Sequence, residues 1–265
     1  MSLSQARWLQ PDFPFRPSKC PLFYGWVIVG ASVMGMMSSI PGQTAGVGPF
    51  TDHLLENLQL SRLELSAAYL VGTALSGFIL PKMGSLFDAY GARLTGTVVK
   101  VAFGLSLCYM ASTAWLYRMF KPSEAPLPWL ALGLVTAGFF LIRFLGQGVT
   151  AMISRAMLGK WFNRKRGIAS AIGGCATSLA FSGGPLVLFA LVEVIGWREA
   201  WLALGLLLIG VVSVLTWLTY RDNPEECGLE MDGDPALQKA AETTDPEFVV
   251  HREYTGPEAI RTYSF

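Results

Sequence analysis

Long apolar runs separated by short polar breaks dominate the first 220 residues. Six runs reach the roughly 20 residues that a helix needs to cross a bilayer. They cover 24–50, 61–87, 94–117, 128–158, 167–195 and 197–220. The first is uncharged, and the second is uncharged from Leu65 to Pro81. Lys100 lies near the start of the third, and the fourth holds Arg143 and ends near Arg155. The last two carry only Glu193 and Arg198-Glu199 at their edges. Lipid offers the backbone no hydrogen-bond partners, so runs of this length are helices. The pattern predicts an all-α membrane protein of six transmembrane helices.

Pro41-Gly42 and Gly183-Gly184-Pro185 are placed to bend their helices. Ser38, Gly42 and Gly46 recur four apart, as do Ser170, Gly174, Ser178 and Ser182. Such stripes let helix backbones approach closely in lipid.

Charge adds a direction. With the N-terminus inside, the inner side collects Arg7, Arg16, Lys19, Arg93, Lys160, Arg164, Lys165, Arg166 and Arg221. Arg62, Arg118, Lys121 and Arg198 fall outside. The bias predicts a multi-pass protein of the cell membrane with both termini cytoplasmic. Residues 1–221 hold a net charge of +9 and residues 222–265 a net of −8. The predicted organisation is a cytoplasmic segment 1–22, a bundle 23–220, and an acidic cytoplasmic tail 221–265. That tail is too polar to bury a core of its own and is expected to be mostly disordered.

Composition narrows the chemistry. Cys20, Cys108, Cys175 and Cys227 have neither metal nor redox spacing and read as small hydrophobic residues. His53 and His251 lie outside the apolar runs, which excludes a histidine metal centre in the membrane. An intramembrane hydrolase lacks a histidine base, and no phosphate-binding Gly-Lys-Ser/Thr loop is present. The chain reads as no enzyme, with no cofactor and no nucleic-acid partner.

After the second run comes Gly84-Ser85-Leu86-Phe87-Asp88-Ala89-Tyr90-Gly91-Ala92-Arg93. This resembles the signature loop of the major facilitator superfamily between helices two and three. Arg143-Phe144-Leu145-Gly146-Gln147-Gly148 resembles that superfamily's fourth-helix motif. Tyr24-Gly25-Trp26, Lys160-Trp161-Phe162 with Arg164-Lys165-Arg166-Gly167, Gly196-Trp197-Arg198 and Arg221-Asp222-Asn223-Pro224 are most similar to its monocarboxylate transporter and oxalate–formate antiporter branch. Ala89 stands where the family usually has a basic residue. The resemblance covers about residues 22–232. It implies one half, a 3+3 inverted repeat, of a twelve-helix alternating-access transporter. Residues 256–264 are similar to the approach to a seventh helix, so the chain is expected to be a fragment.

Arg143 is the leading candidate. About 20 Å into its helix, it costs about 2.5–3.5 kcal/mol to insert and so normally faces a partner or a watery cavity. A guanidinium there suits a carboxylate. Gln147 lies one turn on; Gln43 in the first helix and Tyr69 in the second are further substrate-binding candidates. Gly84, Asp88, Gly91 and Arg93 read as a gating loop, with Asp88 able to cap a helix or pair with an arginine and Gly84 permitting close packing. Lys100 is explained by snorkelling to headgroups. Trp26, Trp129, Trp161 and Trp197 are explained as interfacial anchors. The leading reading is secondary transport of small organic anions such as monocarboxylates. Its partners are lipid, a coupled proton or counter-anion, and a C-terminal six-helix half. The alternative is a self-assembling six-helix channel or scaffold without transport activity.

Overall fold

The computed structural model describes residues 10–120 and 127–233. The first apolar run does not form one helix. α1 (Gly25–Met37) stops short of Pro41, which lacks an N–H and sits in a 3-10 turn, Ile40–Gly42. Gln43 is extended at φ −84° and ψ 160°, and a four-residue helix α2 (Thr44–Val47) follows. A second proline, Pro49, starts another 3-10 turn that leads into α3 (Thr51–Leu58). The bend anticipated at Pro41-Gly42 is therefore a break.

The second and third runs form one helical stretch, α4 (Arg62–Phe120), of 59 residues. Straight, it would measure about 88 Å against a hydrocarbon core of about 30 Å. Gly91 interrupts it with φ 79° and ψ 169°. The chain folds back there. Arg62 at one end donates to Asp52 (3.0 Å) and Arg118 at the other donates to Asn57 (3.2 Å), both on α3.

The fourth run comprises α5 (Pro128–Ile142), a π-helical segment (Arg143–Thr150) and α6 (Ala151–Trp161). α7 (Arg166–Ile195) passes through Gly183-Gly184-Pro185 without a non-helical residue. α8 (Trp197–Leu207), a second π-helical segment (Leu208–Val212) and α9 (Ser213–Thr219) complete the bundle. Among the described residues, five helical stretches are long and apolar enough to cross a membrane, the 59-residue stretch counted once.

Two cores hold the helices. One lies toward α3, where Phe50 stacks on buried Trp201 at 4.0 Å between ring centres. The other lies toward the end that carries Arg93, Lys160 and Arg221, called here the basic end; Tyr24, Phe87, Trp161 and Phe162 pack there. Between them the helices cross on glycine. A methyl group at Gly42 would come within 3.0 Å of the Gly146 Cα. One at Gly104 would meet the Gly205 carbonyl at 2.6 Å. Such crossings replace the hydrophobic drive that lipid removes.

Two expectations are corrected. Trp161 is fully buried, its indole N–H donating to the Arg221 carbonyl at 3.2 Å. Trp197 is also buried, and its ring stacks near His53. Both are packed in the protein interior rather than anchored in the headgroups; Trp129 and Trp26 remain exposed. Residues 221–233 form short turns packed on the basic end, with Cys227 buried. The rest of the acidic tail, 234–265, lies outside the described residues.

Gly91 meets two demands at once. Its positive φ disfavours any side chain, and the carboxylate of Asp222 occupies the space a Cβ would need. Gly91→Val is expected to lower the thermal unfolding midpoint in detergent, at a cost of about 1–3 kcal/mol. Gly84→Ala, where a methyl meets nothing within 4 Å, is the control and should leave the midpoint unchanged or slightly raised.

Candidate functional site

The break in the first run leaves backbone carbonyls without helical partners. Two cations fill that need. Arg143, 7% exposed, begins the π-helical segment, a wider winding often found at functional sites. Its Nη1 donates to the Gly42 carbonyl (3.4 Å) and the Thr44 hydroxyl (3.2 Å). Its Nε donates to the Thr73 hydroxyl at 3.2 Å. The guanidinium carbon lies 5.0 Å from the centre of the Tyr69 ring.

Lys100 serves the other side of the break. It is 2% exposed, and its ammonium donates to the Gly35 carbonyl (3.2 Å) and the Ser38 hydroxyl. This corrects the snorkelling expectation: the amine turns inward to the C-terminal end of α1, where the helix dipole favours a cation. Neither Arg143 nor Lys100 has an acidic partner among the described residues.

The candidate ligands divide. Tyr69 joins Arg143; its hydroxyl donates to Thr44 at 2.9 Å and its ring meets Phe139 edge-on. Gln43 adjoins the break, but its amide donates to Ser39 (3.1 Å) rather than toward Arg143. Gln147 is exposed, with no hydrogen bond to Arg143. A cavity of about 210 Å³ opens beside Thr44, Ser66 and Tyr69.

At the basic end the gating residues separate as well. Asp88 is exposed, and its carboxylate has no hydrogen-bond partner among the described residues. Gly84 makes no close helix contact there. Arg93 is buried and donates to the carbonyls of Trp217 (2.8 Å), Gln10 (3.0 Å) and Phe13. Arg221 adds donations to Pro11 (2.8 Å) and Phe13 (3.0 Å). Two guanidinium groups thus pin residues 10–13 across the end of α9.

Residues 18–243 match the Major Facilitator Superfamily. The chain belongs to the major facilitator superfamily. It is 28% identical over 218 residues to an MFS-type transporter of Gibberella moniliformis, covering 78% of this chain and 45% of that protein. It is 36% identical over 168 residues to the membrane sensor protein UhpC of Salmonella typhimurium, covering 63% and 32%. The chain thus spans less than half the length of either relative. No solved structure matches it. As a superfamily chain it is a multi-pass membrane protein of a transport family.

Two acidic residues of this superfamily chain escaped the sequence reading. Asp222 accepts the backbone N–H of Ala92, at the start of the second arm of α4. It occupies the capping place anticipated for Asp88. Burial raises its carboxyl above the ordinary range, against the opposing pull of the Ala92 N–H. Asp232, 5% exposed, accepts the N–H groups of Asn163 (3.2 Å), Arg164 (2.8 Å) and Lys165 (3.0 Å), just before α7. Three adjacent N–H groups aimed at one carboxylate form an anion-binding nest. The signal for both was local: Arg221-Asp222-Asn223-Pro224 directly after an apolar run, and Asp232-Gly233 as a turn pair.

Asp232 therefore latches the segment after α9 onto the loop before α7. Asp232→Ala is expected to speed tryptic cleavage at Lys165 and Arg166 about tenfold, from the loss of charge-assisted hydrogen bonds. Peptide mapping over a time course reads the rate; unchanged cleavage would mean that the latch does not hold the loop.

Proposed function

We propose that this chain is the N-terminal six-helix half, a 3+3 inverted repeat, of a secondary transporter for small organic anions such as monocarboxylates. The observation that carries it is Arg143, buried at the broken first span and lacking an acidic counter-ion among the described residues. A cation held by carbonyls and hydroxyls keeps its charge for an incoming carboxylate. The hairpin at Gly91 supports counting α4 as two spans, giving six. The positive-inside bias supports a cell-membrane protein with both termini cytoplasmic and the basic end inward.

Exposed apolar side chains on the first arm of α4 and on α7, among them Leu70, Phe78, Leu179 and Leu186, supply area for lipid and for a C-terminal six-helix half. In the assembled transporter Arg143, Tyr69, Gln147 and Gln43 form one wall of the substrate cavity. Gly84, Asp88, Gly91 and Arg93 form the inner gate, where exposed Asp88 waits for a group of the other half. Alternating access then moves the anion together with a proton or against a counter-anion. The monocarboxylate and oxalate–formate branch is favoured by the Tyr24-Gly25-Trp26 and Gly196-Trp197-Arg198 motifs. The likeness to a membrane sensor protein favours a second reading, in which the same site binds the anion without carrying it.

Uptake of radiolabelled lactate into proteoliposomes tests this, with the chain co-reconstituted with a matching C-terminal half. Arg143→Gln is expected to lower uptake about 10- to 100-fold, the worth of one charge-assisted contact, and Arg143→Lys to keep part of it. Unchanged uptake in Arg143→Gln would remove Arg143 from the site. Saturable lactate binding without uptake would favour the sensor reading.

A further inference from the structure

α1 and α7 border two cavities, both with mostly apolar walls, of which one also carries a set of hydroxyls. One, of about 660 Å³, is almost wholly apolar and is lined by residues such as Met34, Val187 and Leu204. The other, of about 530 Å³, lies toward the basic end between α1, α6 and α7. Its wall carries Ser32, Ser154, Ser170, Thr177 and Ser178, with Arg155. Arg155 is exposed and has no hydrogen-bond or acidic partner among the described residues. Ser32 is 2% exposed, and its buried hydroxyl has no hydrogen-bond partner among the described residues. Ser154 donates to the Thr150 carbonyl (2.9 Å) and its oxygen is met by the Tyr220 hydroxyl at 3.5 Å.

Helix packing alone does not call for this lining. Small residues suffice for close approach, yet here a buried Ser32 hydroxyl borders an open volume of about 530 Å³. Phe181 and Leu158 supply an apolar edge. Arg155 lies twelve residues beyond Arg143 along a continuous helix, no more than about 18 Å away. The lining of this cavity includes neither Arg143 nor its contacts Thr44, Tyr69 and Thr73, which separates it from the Arg143 site.

We infer that this cavity is a second anion station, which takes the carboxylate of a small hydroxylated organic acid on Arg155 and its hydroxyls on Ser170, Thr177 and Ser178. Ser170, Thr177 and Ser178 are exposed or half-exposed on one face of α7, and a hydroxylated acid replaces the water that an unhydroxylated acid would only displace. The inference rests on the organic-anion reading, to which Arg155 adds a second cation on the same span as Arg143, nearer the basic end. Occupancy of the station is measurable without transport.

The test is ligand protection of a thiol placed in the wall. A side chain at Gly174, which lines the cavity, meets nothing within 4 Å, so Gly174→Cys fits. With Cys175→Ala in the same chain in nanodiscs, maleimide labelling at position 174 is read by peptide mass spectrometry. Gluconate is expected to slow labelling, whereas hexanoate and sorbitol are not. Arg155→Gln should raise the gluconate concentration for half-protection at least about tenfold. Arg155→Lys should keep part of the protection, and Lys82→Gln, on the first arm of α4 and outside the cavity lining, should leave it intact. Absence of gluconate protection, equal protection by hexanoate, or protection that survives Arg155→Gln would overturn the station. So would protection by phosphatidylglycerol nanodiscs alone with no added effect of gluconate, which would assign the cavity to a lipid headgroup. Gluconate protection through Arg155 beside lactate uptake indifferent to Arg143→Gln would retain this station and reject the Arg143 reading.

Discussion

The cation-held break in the first span is the constraint from which the rest of the bundle follows. A helix that stops inside a bilayer strands its last carbonyls, and each unsatisfied group costs several kcal/mol in lipid. Lys100 donates to the Gly35 carbonyl and the Ser38 hydroxyl on one side of the break. Arg143 donates to the Gly42 carbonyl and the Thr44 hydroxyl on the other. The second arm of α4 and the π-helical segment after α5 must therefore lie close to α1. Gly42 and Gly146 make that approach sterically feasible, with Phe103 filling the space beside them. The same solution fixes the electrostatics. Two basic side chains sit at the break with no carboxylate facing them among the described residues.

The basic end repeats this logic with the signs mixed. Arg93 and Arg221 are satisfied by carbonyls of residues 10–13 and of the end of α9 rather than by acids. Acids are used instead on backbone N–H groups: Asp222 at Ala92 and Asp232 before α7. Each carboxylate closes a helix start, and each comes from the segment after α9. The first and last described segments are thereby tied to the turn at Gly91 and to the loop before α7.

Much of this was legible in the residues, for identifiable reasons. The apolar runs report the solvent around them, so the helices follow from them. Arg143 stood out because a charge inside an apolar run needs a reason. Gly91 stood out through its spacing from Gly84, Asp88 and Arg93. Lys100 was visible, but its direction was not: a flexible four-carbon stem reaches headgroups or a neighbouring helix equally well, and the decision lies with Gly35 and Ser38, more than sixty residues earlier. Asp222 and Asp232 were hidden by averaging. They sit in a stretch whose net acidity suggests disorder, while its first thirteen residues form turns shaped by Pro224, Gly228 and Gly233. Trp161 and Trp197 lie at helix ends, where a lipid interface and a protein interior look alike in one dimension.

The central claim is that both cations turn inward to the broken first span. Reductive methylation of the intact protein in nanodiscs, with each lysine followed by peptide mass spectrometry, tests it most directly. Lys82, exposed on the first arm of α4, should be methylated readily, while Lys100 stays unmodified until the protein is unfolded. Methylation of Lys100 at the rate of Lys82 would mean that its amine reaches the surface, and would contradict the account.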